Sequence, residues 1–172
     1  MRNFLIVIAV VLAAALAAPA AAQMQPYASG RMIGHGTFYG PDGTPYGYTF
    51  AIKCSDADPW GFGYADNFVL HVQGSNDMFL LQQGELLNTY VCSDDPAIVN
   101  HAGAAFDTVT AMANGTCKGM AGYDRCKLLL TVTDGGEDRP DSITLRIVGN
   151  DQTVLNFSGT VDASSHEAIG GF

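Results

Sequence analysis

The chain has 172 residues, of which 17 are acidic and 8 are basic, so its formal net charge at pH 7 is −9. Nucleic acids and anionic lipid surfaces are held by clustered Lys and Arg side chains. Here the basic residues stand singly along the chain, apart from the pair Arg125 and Lys127. The composition therefore argues against nucleic acid and anionic membranes as partners, and favours an acidic surface that serves solubility.

The first 22 residues have the pattern of a secretory signal peptide. Arg2 gives a positive start, residues 4–18 are apolar without a charge, and small residues at 20–22 precede Gln23. The alternative is a membrane anchor, because this stretch approaches the roughly 20 apolar residues that a bilayer requires. The absence of a Lys and Arg cluster beyond it favours cleavage. We therefore expect a signal peptide over 1–22 and a single domain over 23–172, secreted or periplasmic, with no membrane insertion after cleavage.

Alternation of apolar and polar residues predicts β-strands along most of the remaining chain. Turn-forming Gly, Asn, Asp and Pro residues separate these stretches, and no helix is expected beyond a turn at 95–102. The pattern predicts an all-β fold, an antiparallel β-sandwich or barrel of about eight to ten strands. In chain order the predicted strands cover 32–39, 46–54, 67–73, 77–82, 86–93, 106–117, 125–134, 142–148 and 152–159, with a last edge near Val161.

Four cysteines lie in the predicted domain, and an even number in an exported chain favours disulfide bonds. Three pairings are possible. We favour Cys54 with Cys92 and Cys117 with Cys126, because the second pair could clasp a hairpin across the residues between them. A zinc site is the competing interpretation, but no Cys-x-x-Cys pair is present.

The stretch 56–64 is the most aromatic loop of the sequence and contains Trp60, Phe62 and Tyr64. It has two interpretations, a plug over one open end of the core or a loop that contacts a ligand. Exposed aromatic rings bind apolar surfaces and sugar faces well. On the second interpretation these three residues bind an envelope glycan or a protein partner.

Carboxylates crowd the stretch between two of the clearest strands, at Asp134, Glu137, Asp138 and Asp141. Such a group could wrap a calcium ion, which takes six to eight oxygen ligands. The alternative is a solvated turn in which Arg139 balances part of the charge. Ca²⁺ is therefore the one cofactor that the sequence suggests, and no other cofactor is predicted.

No nucleophile elbow, zinc-protease motif, phosphate-binding loop or dinucleotide-binding motif is present in the sequence. An active site could still be assembled from distant residues, with His71 or His166 beside a carboxylate. Surface histidines without a catalytic role are the simpler interpretation. We therefore assign no catalytic residue and keep a hydrolase at His71 or His166 as an alternative.

Five short motifs in the second half resemble, in the same order, exported bacterial β-rich domains catalogued as post-COAP. They are Val91-Cys92-Ser93-Asp94-Asp95-Pro96, Ala105-Phe106-Asp107-Thr108, Thr133-Asp134-Gly135-Gly136-Glu137, Val154-Leu155-Asn156-Phe157-Ser158-Gly159 and Ser165-His166-Glu167-Ala168. The resemblance implies export and a β-rich fold, and carries no established activity. The chain departs from it at Asp138, where the family has proline, and at Ile169, where the family has a second histidine.

Together these features predict an exported, non-catalytic β-sandwich module with a binding, adhesive or structural role at the cell envelope or outside the cell. Two alternatives remain open, the hydrolase described above and a subunit that self-assembles through its edge strands.

Overall fold

A computed structural model describes residues 30–54, 64–81, 87–100, 103–122 and 124–170. These residues confirm the all-β prediction, since their only helical element is a single 3₁₀ turn at Met120–Gly122. The strands are β1 (Gly30–Tyr39), β2 (Pro45–Cys54), β3 (Tyr64–Val72), β4 (Met78–Leu81), β5 (Leu87–Ser93), β6 (Thr108–Lys118), β7 (Arg125–Thr133), β8 (Ser142–Gly149), β9 (Gln152–Thr160) and β10 (Asp162–Gly170).

The strands of the described residues form one antiparallel sheet with the order β10-β1-β2-β3-β4-β6-β7-β8-β9. β5 lies off this path and pairs with β6. One edge of β6 therefore serves two strands, β5 along 108–113 and β4 along 116–118. The sheet curls into a half-barrel, so the barrel-like form of the predicted fold is the one adopted.

The alternation in the sequence assigns the inner face correctly. Ile143, Leu145 and Ile147 of β8 are fully buried, while the residues between them face outward. Burying a large aliphatic side chain contributes about 1.5–3 kcal/mol, so these faces hold the sheet in its curl. On β7 the outward residue Leu129 is 39% exposed, although it is apolar.

Aromatic rings fill the concave side of the sheet. Phe38 of β1 stacks on Phe157 of β9 with ring centroids 4.1 Å apart, and on Tyr46 of β2 at 5.2 Å. β1 and β9 are not neighbours in the sheet, so the Phe38–Phe157 contact links strands that only the curl brings together. Such pairs contribute about 0.5–1.5 kcal/mol beyond the area that they bury.

Both predicted disulfides are present. Cys54–Cys92 joins the end of β2 to β5, two strands that do not pair, with Cα atoms 6.3 Å apart. Cys117–Cys126 closes the β6–β7 hairpin, with Cα atoms 5.8 Å apart. Two disulfides are typical of an oxidising, extracytoplasmic environment. In the part of the chain that the structure describes, no helix is long and apolar enough to cross a membrane.

The end of the chain is where the structure departs most from the predicted elements. The sequence predicts only an edge near Val161, whereas β10 is a strand of nine residues. Its register with β1 runs from Gly30 opposite Gly170 to Thr37 opposite Asp162. β10 is poor in the β-branched and aromatic residues that mark strands, so its partners determine its conformation.

Candidate functional site

A polar cluster lies inside the half-barrel, beneath two glycines of β1. Gly34 and Gly36 share the inward parity of Met32 and Phe38. A Cβ atom at Gly36 would lie 2.5 Å from the Tyr48 hydroxyl oxygen, and one at Gly34 would lie 2.7 Å from the ring of His166. The two glycines therefore leave the space in which Tyr48 and His166 meet.

The Tyr48 hydroxyl and Nε2 of His166 are 2.6 Å apart, and Nδ1 of His166 is 2.9 Å from the carbonyl oxygen of Thr133. A carbonyl oxygen only accepts, so Nδ1 carries the proton and Nε2 accepts from the Tyr48 hydroxyl. His166 is 3% exposed and Tyr48 is 1% exposed. Burial lowers the pKa of His166 and raises the pKa of Tyr48, so both groups are neutral near pH 7.

Two aspartates from the β7–β8 connection hold the backbone of β10. Asp141 accepts from the His166 amide at 2.7 Å, and Asp134 accepts from the Ala168 amide at 2.9 Å. The second oxygen of each carboxylate accepts from its own loop, Asp141 from Gly135 and Asp134 from Gly136. We name this pair the carboxylate clamp, because it bonds the side of β10 that does not pair with β1.

A further carboxylate, Asp107, is buried next to the clamp. Asp107 is 1% exposed and accepts hydrogen bonds of 2.6 Å from the Asp95 amide and from the Thr108 hydroxyl. Its backbone oxygen accepts from the amide of Asp134 at 2.8 Å. Burial raises the pKa of Asp107, against the effect of these two bonds. The three aspartates thus join the loops before β6 and after β7 to β10.

The structure gives the predicted calcium ligands two different roles. Asp134 and Asp141 accept hydrogen bonds from backbone amides, which offset part of the charge of their carboxylates. Glu137 and Asp138 are exposed at the tip of the same loop. Among the described residues, no group of three or more His, Cys, Asp or Glu side chains is arranged to hold a metal ion.

The two histidines singled out by sequence lie apart. His71 is exposed on β3, with its ring over Gly47 of β2. His166 is buried and both of its ring nitrogens are bonded within the protein, so a substrate would have to displace Tyr48 to reach Nε2. The aromatic residues Trp60 and Phe62 lie outside the described residues, as does the side chain of Tyr64.

The outer face of the sheet carries a regular row of side chains that sequence reasoning missed. Val91, Thr110, Thr131, Thr144 and Ser158 stand opposite one another across β5 to β9. The hydroxyls of Thr110 and Thr131 are 3.1 Å apart, and those of Thr144 and Ser158 are 2.8 Å apart. Such cross-strand hydroxyl pairs stabilise the sheet. They form a neutral polar strip on its outer face.

Most of this strip lines a groove of about 500 Å³, which we name the outer groove. The outward-facing apolar residues of its lining are Val91, Met112 and Leu129, and its polar lining includes Thr131 and Arg146. Val91 is 44% exposed and Leu129 is 39% exposed. The groove could have been anticipated from Leu129, since an apolar residue at an outward position breaks the alternation of β7.

A second concavity, of about 670 Å³, adjoins the outer groove and shares Arg146 with it. We name it the basic pocket. Arg125, Lys127 and Arg146 lie around it with Asn114, Asn150 and Asp151. Arg125 and Lys127 are adjacent outward positions of β7, and Arg146 stands opposite Leu129 on β8. The pair noted in the sequence thus becomes a group of three cations once the strand register is known.

Comparison of the chain with protein-family models, with curated proteins and with solved structures finds no match. The resemblance to post-COAP domains therefore stays a prediction. The candidate sites rest on their own geometry.

Proposed function

We propose that this chain is an exported, non-catalytic binding module that holds its ligand in the outer groove, at the cell envelope or outside the cell. The observation that carries the proposal is that two exposed apolar side chains, Val91 and Leu129, line one groove on the outer face, with Met112 on the strand between them. Apolar side chains that gather at the surface of a folded domain mark binding sites.

The interior of the half-barrel is filled by side chains, which favours the outer face as the place where a ligand binds. Its largest side chains, among them Tyr48, Phe68, Phe79 and Phe106, are fully buried. The polar groups of Tyr48 and His166 bond to one another and to the backbone. Ligand binding on the concave side would need this packing to open, whereas the outer groove is accessible as it stands.

Export is supported by two independent features. The signal-peptide pattern over 1–22 directs the chain out of the cytoplasm. The disulfides Cys54–Cys92 and Cys117–Cys126 then form where oxidation is favoured. A small disulfide-bonded β domain with a surface groove suits a role in binding envelope material.

The test follows two methionines in one titration. The chain is expressed from its full sequence, purified from an oxidising compartment, and labelled at the methionine methyl groups for NMR. Envelope lipids and glycans are then added one at a time. Met112 lines the outer groove, whereas Met32 is fully buried and serves as the internal control.

We expect a ligand to shift the Met112 signal and to leave the Met32 signal in place. Leu129→Asp should abolish that shift, because a carboxylate in the groove opposes an apolar ligand. Trp60 fluorescence in the same titration reports on the predicted aromatic loop. A Met112 signal that stays fixed with every ligand would overturn the outer groove as the binding site.

One observation favours self-assembly as a second candidate function. Among the described residues β9 pairs only with β8, and its sequence from Gln152 to Thr160 contains no charged residue and no proline. Natural proteins commonly protect edge strands with charges, prolines or bulges. β9 has one register shift against β8, between Ile147 and Val148, and pairs regularly from residue 155 to residue 160. The opposite end of the sheet, β10, is instead covered by the carboxylate clamp.

Light scattering tests this second candidate. If β9 joins copies by strand addition, the wild-type chain forms oligomers at high concentration, and Asn156→Lys returns it to a monomer. Asp138→Lys on the exposed β7–β8 loop is the control for added charge. A wild-type chain that stays monomeric at millimolar concentration contradicts assembly through β9.

A further inference from the structure

The basic pocket concentrates positive charge in an acidic protein. Three of the eight Lys and Arg residues of the sequence line it, although the chain has a net charge of −9. Asp151 also lines the pocket, and the three cations and this one anion give the lining a formal charge of +2. Asp124, next to Arg125, is exposed. An acidic surface that serves solubility does not by itself gather cations in one concavity, so the pocket has an ionic preference of its own.

The strand register places the cations at one end of the apolar lining. Lys127 and Leu129 are successive outward residues of β7, about 7 Å apart, and Arg146 stands about 5 Å from Leu129 on the next strand. Arg146 donates from Nε and Nη2 to the Thr153 hydroxyl at 3.1 and 2.8 Å. These two bonds hold the guanidinium in place, and a guanidinium has five N–H donors in all.

The apolar lining runs across three neighbouring strands. Met112 on β6 stands opposite Leu129 on β7, and Val91 on β5 lies diagonally from Met112, two residues along the strand. Across the strands this diagonal covers two strand spacings, or about 10 Å. At Leu129 this lining adjoins Lys127 on the same strand and Arg146 on β8. The site therefore offers an apolar track of medium length that ends in cationic donors.

From this arrangement we infer that the outer groove and the basic pocket together bind a single-chain anionic amphiphile, with its alkyl chain along Val91, Met112 and Leu129 and its carboxylate at Lys127 and Arg146. The inference rests on the proposed function and names the ligand class of the same groove. A neutral ligand would gain no charge-assisted hydrogen bond from Lys127 or Arg146. A carboxylate forms charge-assisted hydrogen bonds with both of them.

The net charge distinguishes a small ligand from an acidic polymer or a membrane. Charges are screened beyond a Debye length of about 8–10 Å at physiological salt. A small amphiphile lies within that distance of the three cations, whereas an extended polyanion or an anionic bilayer also meets the acidic remainder of the surface. A second copy of this acidic chain is disfavoured as the ligand of this site for the same reason.

The experiment compares ligands of one chain length and different charge. The purified chain is titrated with decanoate, 1-decanol and decyltrimethylammonium, each below its aggregation concentration, with Met112 and Met32 as reporters. We expect decanoate to bind roughly tenfold more tightly than decanol. Decyltrimethylammonium should bind more weakly than decanol. The decanoate affinity should fall as salt is raised.

Variants test the cations directly. Lys127→Gln and Arg146→Gln should each weaken decanoate binding severalfold and lower the ratio of decanoate affinity to decanol affinity. Lys53→Gln removes an exposed charge on β2 and is the matched control, for which no change is expected. An unshifted Met32 signal shows that each variant is folded.

The outcomes separate the two proposals. Equal affinity for decanoate and decanol, or decanoate binding that is unaffected by Lys127→Gln and Arg146→Gln, overturns the anionic ligand and keeps the outer groove as an apolar binding site. A Met112 signal that none of the three ligands moves overturns the amphiphile inference, and the wider envelope panel then decides on the outer groove itself.

Discussion

The Tyr48 hydroxyl donates a 2.6 Å hydrogen bond to Nε2 of His166 and so joins β2 to β10, two strands that β1 separates in the sheet. The bond passes over β1 where Gly34 and Gly36 present no side chain. Thr133 holds the other ring nitrogen. Three parts of the half-barrel thus meet at one imidazole, which makes His166 a structural centre of the fold.

Replacing Tyr48 by Phe tests this role. Tyr48→Phe removes the only donor identified for Nε2 of His166 among the described residues, and leaves a buried acceptor unsatisfied. We expect the free energy of unfolding to fall by about 1–3 kcal/mol, measured by urea denaturation. Tyr39→Phe is the control, because Tyr39 is 68% exposed, and should change it by less than about 0.5 kcal/mol. Equal effects of the two substitutions would contradict the structural role.

The lowered pKa of His166 predicts how stability depends on pH. Burial holds this pKa below its ordinary value of about 6.5, so the unfolded chain takes up the proton first as the pH falls. The contribution of His166 is therefore complete above pH about 6.5 and is lost as the pH falls toward the lower pKa of the folded state. Asp107 has the opposite sign, because its pKa is raised by burial.

His166→Gln isolates this contribution. The melting temperature of the wild-type chain should fall more steeply between pH 7 and pH 5 than that of the variant. Nitrogen NMR of the wild-type imidazole provides a second measurement that needs no substitution, and should show a neutral ring protonated at Nδ1 at pH 7. A protonated ring at pH 7, or parallel pH profiles, would refute the assignment.

The carboxylate clamp predicts a contrast within one loop. In Asp134→Asn the side-chain amide replaces an oxygen that accepts from Gly136 or Ala168, so one backbone donor loses its acceptor. We expect the free energy of unfolding to fall by about 1–3 kcal/mol and hydrogen exchange at the Ala168 amide to become faster. Asp138→Asn, on the exposed tip of the same loop, should change neither. Addition of Ca²⁺ after chelator treatment should leave the melting temperature unchanged if amides are the partners, whereas a rise would support the calcium hypothesis.

The two disulfides should differ in their contribution to stability. The bond Cys54–Cys92 closes a loop with a sequence separation of 38, and Cys117–Cys126 one of 9. Loop-closure entropy then assigns about 4 kcal/mol to the first and about 2.5 kcal/mol to the second. Paired Cys→Ala substitutions, followed by urea denaturation, measure both. A larger loss from the shorter loop would show that strand geometry, and not the unfolded chain, determines the effect.

Much of the sheet could be predicted because alternation survives wherever one face is buried. The inward residues of β7 and β8 follow directly from it, and so does the inward position of Cys126. The pairing of the cysteines also followed, since a hairpin brings Cys117 and Cys126 together. Local pattern is sufficient when both partners lie on one element or on consecutive strands.

The polar cluster could not be predicted, because its members meet only through register and curl. His166 lies on β10, a strand with weak β propensity, and reaches Tyr48 by way of β1. One signal was present in the sequence, since Gly34 and Gly36 occupy inward positions of a strand and such glycines mark a close approach. The carboxylates at 134–141 were visible too. Their number does not distinguish a cation from backbone amides as the neutralising partner.

The pairing of β1 with β10 makes folding of this domain a non-local process. Strands β6 to β9 follow one another and pair with their neighbours, so they can form early from local contacts. The register that sets Gly30 opposite Gly170 requires the two ends of the described chain to meet. Closing so long a loop has a large entropic cost. We expect the pairing of β10 with β1 to limit the folding rate. Asp134 and Asp141 can accept from the amides of β10 only after that strand has docked.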